Sequence, residues 1–216
     1  DNELARRLRG AVQGEVLFDR ASRGRYSTDA SIYQIEPIGV LVPRSHEDVR
    51  VAVDVCRQLG VPLLPRGGGS SQCGQTVGAA LVIDHSKFLN GVVAFDRDAM
   101  TVTVEPGIVL DALNAWLKPH GVWFPVDVST SAQATIGGMA GNNSCGSRSI
   151  FYGNMVHNVV AADALLADGT EVWLGPGARM SGAPPRLQAL MEGLRGIADR
   201  ERGEIVKAFV ILAKGY

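Results

Sequence analysis

The run Pro65-Arg66-Gly67-Gly68-Gly69-Ser70-Ser71-Gln72-Cys73-Gly74 constrains this chain more than any other stretch, and it follows the apolar segment Val61-Pro62-Leu63-Leu64. The apolar segment reads as a short buried strand, and three tandem glycines then form a turn open to φ values that side chains disfavour. Without Cβ atoms the backbone N–H groups can turn inward and approach a ligand closely, and the hydroxyls of Ser70 and Ser71 extend the donor set. Bare amides, hydroxyls and one arginine, with no acid among them, make a cradle for an anion, most often a phosphate. A plain glycine-rich surface loop is the alternative, and these residues alone leave both open.

Two familiar phosphate loops are excluded. Gly69 to Thr76 imitates the spacing of a triphosphate loop, but Gln75 stands where a lysine is required, so the charge building on a γ-phosphate has no offset. Gly67 and Gly69 fit the start of a Rossmann fingerprint, but Gln72 occupies its third glycine position.

Bulk composition narrows the class of partner. The 216 residues suit one large domain or two small lobes, and a net charge of −1 gives no basic footprint for nucleic acid or an anionic membrane. No apolar stretch is long enough to span a bilayer and no signal peptide opens the chain, so a cytoplasmic protein is expected, with peripheral membrane association left open. Cys56, Cys73 and Cys145 are widely spaced and suit a reducing compartment; no cysteine pair or histidine cluster has metal-ligand spacing, so no metal site is expected.

The order of elements points to an α+β fold. Residues 2–13 read as a helix, the stretch 23–36 as polar and irregular, and Gly39 to Val42 as a strand. Ser45 and Asp48 then cap a helix whose Val49, Val53, Val55 and Leu59 recur at helical spacing before Gly60 stops it. With the strand into the glycine loop this makes a β-α-β unit with parallel strands. Ala80 to Ile83 is a further strand, and residues 92–95 and 101–105 flank Asp96-Arg97-Asp98 as a hairpin. Residues 108–118 read as a helix, and the run 159–167 returns through Asp168-Gly169 into the strand 170–174. The expected architecture is a small β-α-β lobe over residues 1–88 and a larger lobe of strand pairs and helices over 89–180, with a seam near 84–90 where ligands favour binding. Residues 181–216 read as a linker, a helix from Leu187 to Glu201 and an apolar strand from Glu204 to Leu212, an incomplete domain end.

A second chemical signal lies in residues 125–153, rich in hydroxyls, amides and glycines and without lysine or glutamate. Such a segment either packs against a large, partly uncharged cofactor with a sugar-like arm, or is a buried connection whose Asn and Ser satisfy backbone groups. Beside an anion loop, the cofactor reading is preferred.

Pro65 to Thr76, followed by Thr135-Ile136-Gly137-Gly138 and Tyr152-Gly153, resembles the FAD-binding domain of the vanillyl-alcohol-oxidase family, the two-lobed PCMH-type fold, over roughly residues 25–175. Tyr26 to Tyr33 and Gly137 to Arg148 are similar to one branch of it, the large bacterial FAD-linked dehydrogenases of D-2-hydroxy acids such as D-lactate or D-2-hydroxyglutarate. That branch carries an iron–sulfur region further along, which this chain lacks. The resemblance implies that Arg66, Gly67, Gly68, Gly69, Ser70 and Ser71, with Gln75 and Thr76, hold the FAD pyrophosphate. It implies that Asp127, Ser129, Thr130 and Ser131 contact the pyrophosphate and ribityl region, and that Thr135, Gly137 and Gly138 line the same path. The resemblance further implies that Gly141, Asn142, Asn143, Ser144 and Gly146 run beside the flavin ring, that Tyr152 and Gly153 fix that loop, and that Val159 lies near the adenosine. Where relatives link flavin covalently through this first loop a histidine follows the glycines; Ser70 stands there, so FAD is expected to be non-covalent. A carboxylate at Asp127 is repulsive to a pyrophosphate unless it caps amides or binds a ribose hydroxyl.

His46 reads as a surface residue at a helix start, and His85 and His120 as turn residues, solvated or structural. His157 is the histidine placed to approach the cofactor, and Trp116, Trp123 and Trp173 read as core or lobe-interface aromatics. Oxidation of a hydroxy acid needs a base and a cation for the carboxylate, and no constellation for either is evident, so catalytic residues stay unassigned. The resemblance places them in a later substrate domain; the electron acceptor is not specified. Two functional classes result: the FAD-binding part of a D-2-hydroxy-acid dehydrogenase, inactive by itself, and a non-catalytic nucleotide-binding or interaction module that keeps the fold. A flavin reductase of nucleotide-sugars is a weaker third.

Overall fold

A computed structural model of the chain describes residues 2–176 together with 185, 188–190 and 192. Apart from those few positions, the linker, helix and strand expected beyond residue 176 lie outside the described residues. The elements run α1 (Glu3–Arg9), β1 (Glu15–Leu17), α2 (Arg20–Arg25), β2 (Gly39–Val42), α3 (His46–Leu59), β3 (Leu63–Arg66) and β4 (Leu81–Asp84). They continue as β5 (Val92–Asp96), β6 (Thr101–Val104), α4 (Leu110–Leu117), α5 (Ile136–Gly141), α6 (Ser149–Tyr152), α7 (Met155–Asn158), β7 (Ala162–Leu165) and β8 (Glu171–Leu174). The fold is α+β, as expected.

Local chemistry sets α3. Ser45 caps it by accepting from the Asp48 amide at 3.1 Å, and Gly60 ends it at φ 65°, a left-handed position that suits glycine. The buried Asp48 carboxylate also accepts from the amides of Gln13 (2.9 Å) and Arg44 (2.8 Å), which ties the link after α1 to the start of the helix.

The first sheet has the order β1-β2-β4-β3. β2 and β3 are parallel as the crossover through α3 requires, but they are not neighbours: β4 lies between them, parallel to both. β2 and β4 are buried along their whole length because both faces of the sheet are covered. On one face Leu41, Leu81 and Ile83 pack with α1 and α3; on the other, Val40, Val42 and Val82 pack with Leu17, Tyr26 and Leu64. Each such side chain stabilises the fold by about 1.5–3 kcal/mol. The C-terminal ends of β3 and β4 then deliver the glycine loop and His85 side by side, joined by the His85 amide donating to the Arg66 carbonyl at 3.1 Å.

In the second part, the β5–β6 hairpin lays Val92, Phe95, Val102 and Val104 over Ile108, Leu113 and Leu117 of the α4 region. The strip 106–110 runs beside 134–137: Leu110 donates to Ala134, Ile136 to Ile108 and Gly137 to Pro106, at 2.8–3.0 Å. The expected hairpin after residue 159 is β7–β8, an antiparallel pair. It packs back on the first lobe, with Leu165 against the core beneath α3 and Glu171 paired with Arg50. The β7–β8 hairpin thus rests against α3 through Leu165 and the Arg50–Glu171 pair.

Candidate cofactor-binding site

Between the glycine loop and the segment 128–145 lies a cavity of about 630 Å3. Its volume falls in the range of small-molecule sites, and it sits beyond the carboxyl ends of parallel strands, where open α/β sheets take ligands.

The glycines of the first loop are required by the other loop as much as by any ligand. A Cβ at Gly67 would collide with Oγ1 of Thr135, and one at Gly68 with the carbonyl of Gln133. Gly69 adopts φ 64° over the Arg66 guanidinium. On the far side Thr135 caps α5 by accepting from the Gly138 amide at 3.2 Å, and Gly137 presses on Pro106. The two loops touch backbone to backbone at one end and stand apart over the cavity at the other.

Arg66 does not present its guanidinium to the cavity as a free cation. It donates to the carbonyls of Tyr26 (3.3 Å), Thr28 (2.8 Å) and Thr76 (3.0 Å), and lies over the Tyr26 ring at 5.3 Å. Burial lowers its pKa, opposed by Asp84, Asp29 and Tyr26, and an arginine so held stays cationic. Its structural role is to buckle residues 26–28 to the loop. Thr76 and Asp29 form a second buckle, Oγ1 donating to Oδ2 at 2.9 Å. Burial alone would raise the Asp29 pKa, but hydrogen bonds from Ser31 and Thr76 outweigh it and the net shift is downward. Behind them Tyr26 donates to Asp84 at 2.6 Å, and burial, then that carboxylate, pushes the phenol pKa up. Gln75 bridges the loops: its amide accepts from Ser71 and donates to Asn142 at 3.0 Å.

Of the expected residues, Arg66, Gly67, Gly68, Gly69, Ser70, Ser71, Gln75 and Thr76 line the cavity from one side. Ser129, Thr130, Thr135, Gly137, Gly138, Gly141, Asn142, Asn143 and Ser144 line it from the other. Asp127, Ser131, Gly146, Tyr152, Gly153 and Val159 are not among the lining residues. Asp127 instead accepts from Ser147 (2.9 Å), the Arg148 amide (3.2 Å) and Arg148 Nε (2.9 Å), and the Arg148 hydrogen bond holds its carboxyl below the usual range. This neutralised carboxylate caps an amide at the back of the loop, so the feared repulsion does not arise. The Ser131 carbonyl accepts from Asp111 at the start of α4. Tyr152 stacks edge-on with Trp123 and Phe151, and Gly153 turns at φ 80° against His157. Nδ1 of His157 accepts from the Asn154 amide at 3.0 Å, which occupies it locally instead of at the cavity.

Several lining residues escaped the sequence reading: Gln72, Cys73, Pro106, Val128, Met139, Cys145 and above all His85. His85 is buried rather than solvated, and burial lowers its pKa to about 4. Cys73 and Cys145 are exposed free thiols on opposite walls.

The donor set suits a phosphate-bearing group. Among the described residues nothing accepts from the backbone N–H groups of Gly67, Gly68, Gly69, Ser70 and Ser71. Unpaired amides in a run, with hydroxyls beside them and no carboxylate on the lining, form an anion nest. A profile of the FAD-binding domain family matches residues 37–175. The chain belongs to that family. FAD is thus the cofactor of this domain, and its loops fit the group: a line of backbone donors without protein partners among the described residues, on a lining free of carboxylates.

The FAD-binding domain is 37% identical over 159 residues to the D-2-hydroxyglutarate dehydrogenase of Pantoea ananatis, covering 72% of this chain and 16% of that protein. It is 32% identical over 204 residues to the glycolate oxidase subunit GlcD of Bacillus subtilis, covering 91% of this chain and 43% of that one. To the D-lactate dehydrogenase (cytochrome) 1, mitochondrial, of Saccharomyces cerevisiae the identity is 34%, over 83% of this chain and 31% of the relative. Among solved structures, alkyldihydroxyacetonephosphate synthase aligns with a TM-score of 0.74 at 24% identity, over 83% of this chain and 36% of that one, which establishes the fold. The chain spans about a sixth of the length of the hydroxyglutarate dehydrogenase it matches. No helix among the described residues is long and apolar enough to cross a membrane.

Proposed function

We propose that the cavity holds the pyrophosphate and ribityl arm of a non-covalently bound FAD, and that the domain serves an enzyme oxidising a D-2-hydroxy acid of the lactate or 2-hydroxyglutarate type. The run of unpaired amides from Gly67 to Ser71 carries the cofactor part of this reading. Those amides and the hydroxyls of Ser70, Ser129 and Thr130 offset the phosphate charge, while Arg66 shapes the loop from behind. The Gln75–Asn142 bridge clasps the two loops across the path, and Gly141 to Ser144 supply a small, polar wall for the flavin ring. Bound there, FAD supplies a hydride acceptor. No residue described here is assigned to take the hydroxyl proton or hold the carboxylate. The substrate class rests on the names of the relatives; the three free cysteines favour a reducing compartment such as the cytoplasm.

Acid precipitation tests the linkage: all flavin should pass into the supernatant, whereas flavin retained in the pellet contradicts a non-covalent site. Anaerobic mixing of the FAD-loaded full-length protein with the D- and L-enantiomers of lactate and 2-hydroxyglutarate tests the substrate. Bleaching of the flavin by the D-forms alone supports the reading; bleaching by the L-forms, or by none of the four, overturns it.

A further inference from the structure

His85 leaves β4 at the point where the glycine loop leaves β3, and it lines the cavity. It is 4% exposed, yet among the described residues its Nε2 has no hydrogen-bond partner. A buried polar atom without a partner is costly, and such atoms persist where a ligand completes them. Around the ring lie His46, which pairs with Glu105 at 3.5 Å, the Asp84 carboxylate already engaged by Tyr26 and Ser86, and the carbonyls of Arg66 and Ile83. Burial outweighs these neighbours and keeps the ring neutral. A neutral imidazole has one N–H, and where the Arg66 and Ile83 carbonyls beside the ring draw it to Nδ1, Nε2 keeps a lone pair.

We infer that Nε2 of His85 is a cofactor-binding atom that accepts a hydrogen bond from a hydroxyl of one of the two sugar-like arms flanking the FAD pyrophosphate. This rests on the reading that the cavity holds FAD. A lone pair there disfavours a phosphate oxygen, which is itself an acceptor, and selects a hydroxyl, which donates. The amides of Gly67 to Ser71 and His85 thus divide the cofactor between them: donors for the phosphates, an acceptor for the adjoining sugar. With Pro106 beside it, His85 lines the cavity from β4's side of the glycine loop.

The experiment measures FAD affinity by quenching of flavin fluorescence, together with the unfolding midpoint of the FAD-free protein, for the parent, His85→Leu and His85→Gln. His85→Leu should weaken FAD about tenfold while leaving the FAD-free protein as stable as the parent or more so, because an unsatisfied buried acceptor is removed. His85→Gln, which keeps an acceptor, should recover most of the affinity. Parental affinity should stay flat from about pH 6.5 to 8, where the ring is neutral. Unchanged affinity in His85→Leu, or a loss matched by equal destabilisation of the FAD-free protein, overturns the inference. Affinity that rises steeply as pH falls through this range also overturns it, since Nε2 would then be donating as a cation to phosphate. If the parent itself takes up no FAD, the reading of the cavity fails, which is a distinct result.

Discussion

Gly67→Ala tests whether the glycine loop is shaped by the second loop. The new methyl would enter the space of Thr135 Oγ1, with the threonine Cβ at 3.1 Å and Cγ2 at 3.2 Å behind it. Thr135 is 2% exposed and cannot swing into solvent. Turning its hydroxyl aside loses the α5 cap, worth about 1 kcal/mol, and crowding a packed contact adds about 1–3 kcal/mol. The sum is about 2–4 kcal/mol, or a melting point lowered by roughly 4–16 °C for a chain of this size. Urea unfolding of Gly67→Ala, Thr135→Ala and the double variant isolates the cause. Thr135→Ala alone should cost about 1 kcal/mol, and the double variant should be more stable than additivity predicts by about 1 kcal/mol or more, because the obstructing oxygen is gone. Strict additivity, or an unchanged midpoint in Gly67→Ala, refutes the contact as the reason for glycine.

Tyr26→Phe removes the donor from the buried Asp84 carboxylate and should lower stability by about 1–3 kcal/mol, read from the denaturant midpoint. Thiol labelling should be fast at exposed Cys73 and Cys145 and slow at Cys56, whose thiol burial pushes up to about 11; FAD should protect the two cavity thiols and leave Cys56 unchanged. His85 has a depressed pKa in the folded chain, so its contribution is full above the ordinary value near 6.5 and is lost as pH falls toward 4. That window is worth on the order of 3 kcal/mol, and His85→Leu should abolish it in a pH series of melts of the FAD-free protein. Asp127→Asn should speed amide exchange at Gly146 to Ser149, and in the parent the same loosening should come only at acid pH, as the lowered carboxylate is protonated.

Much of this was legible in the sequence because local chemistry and burial agree. β2 and the Leu81–Ile83 part of β4 are apolar runs since both sheet faces are covered, and Ser45, Asp48 and Gly60 mark α3 at both ends. The insertion of β4 between β2 and β3 was not legible, because strand order depends on crossings that no single segment encodes. α5, with three glycines in six residues, runs against helix propensity; it forms because Thr135 caps it and Met139 is buried beneath it. α2 carries a readable sign, Asp19 accepting from the Ser22 amide, just ahead of the stretch 23–36 that reads as irregular and that the helix enters. At the site, glycines and hydroxyls announce themselves by composition. His85 and Pro106 reach the cavity through tertiary crossing alone, while Asp127 and Tyr152, near it in sequence, face partners behind the loop.

If the unpaired amides of Gly67 to Ser71 hold the pyrophosphate of FAD, a flavin without that group must bind more weakly. Titrating the flavin-free protein with FAD and with riboflavin, which lacks the pyrophosphate, tests it most directly by flavin fluorescence. FAD should saturate at one equivalent and bind at least about tenfold tighter than riboflavin. Equal affinity for the two, or no uptake of FAD by protein that remains folded, would contradict it.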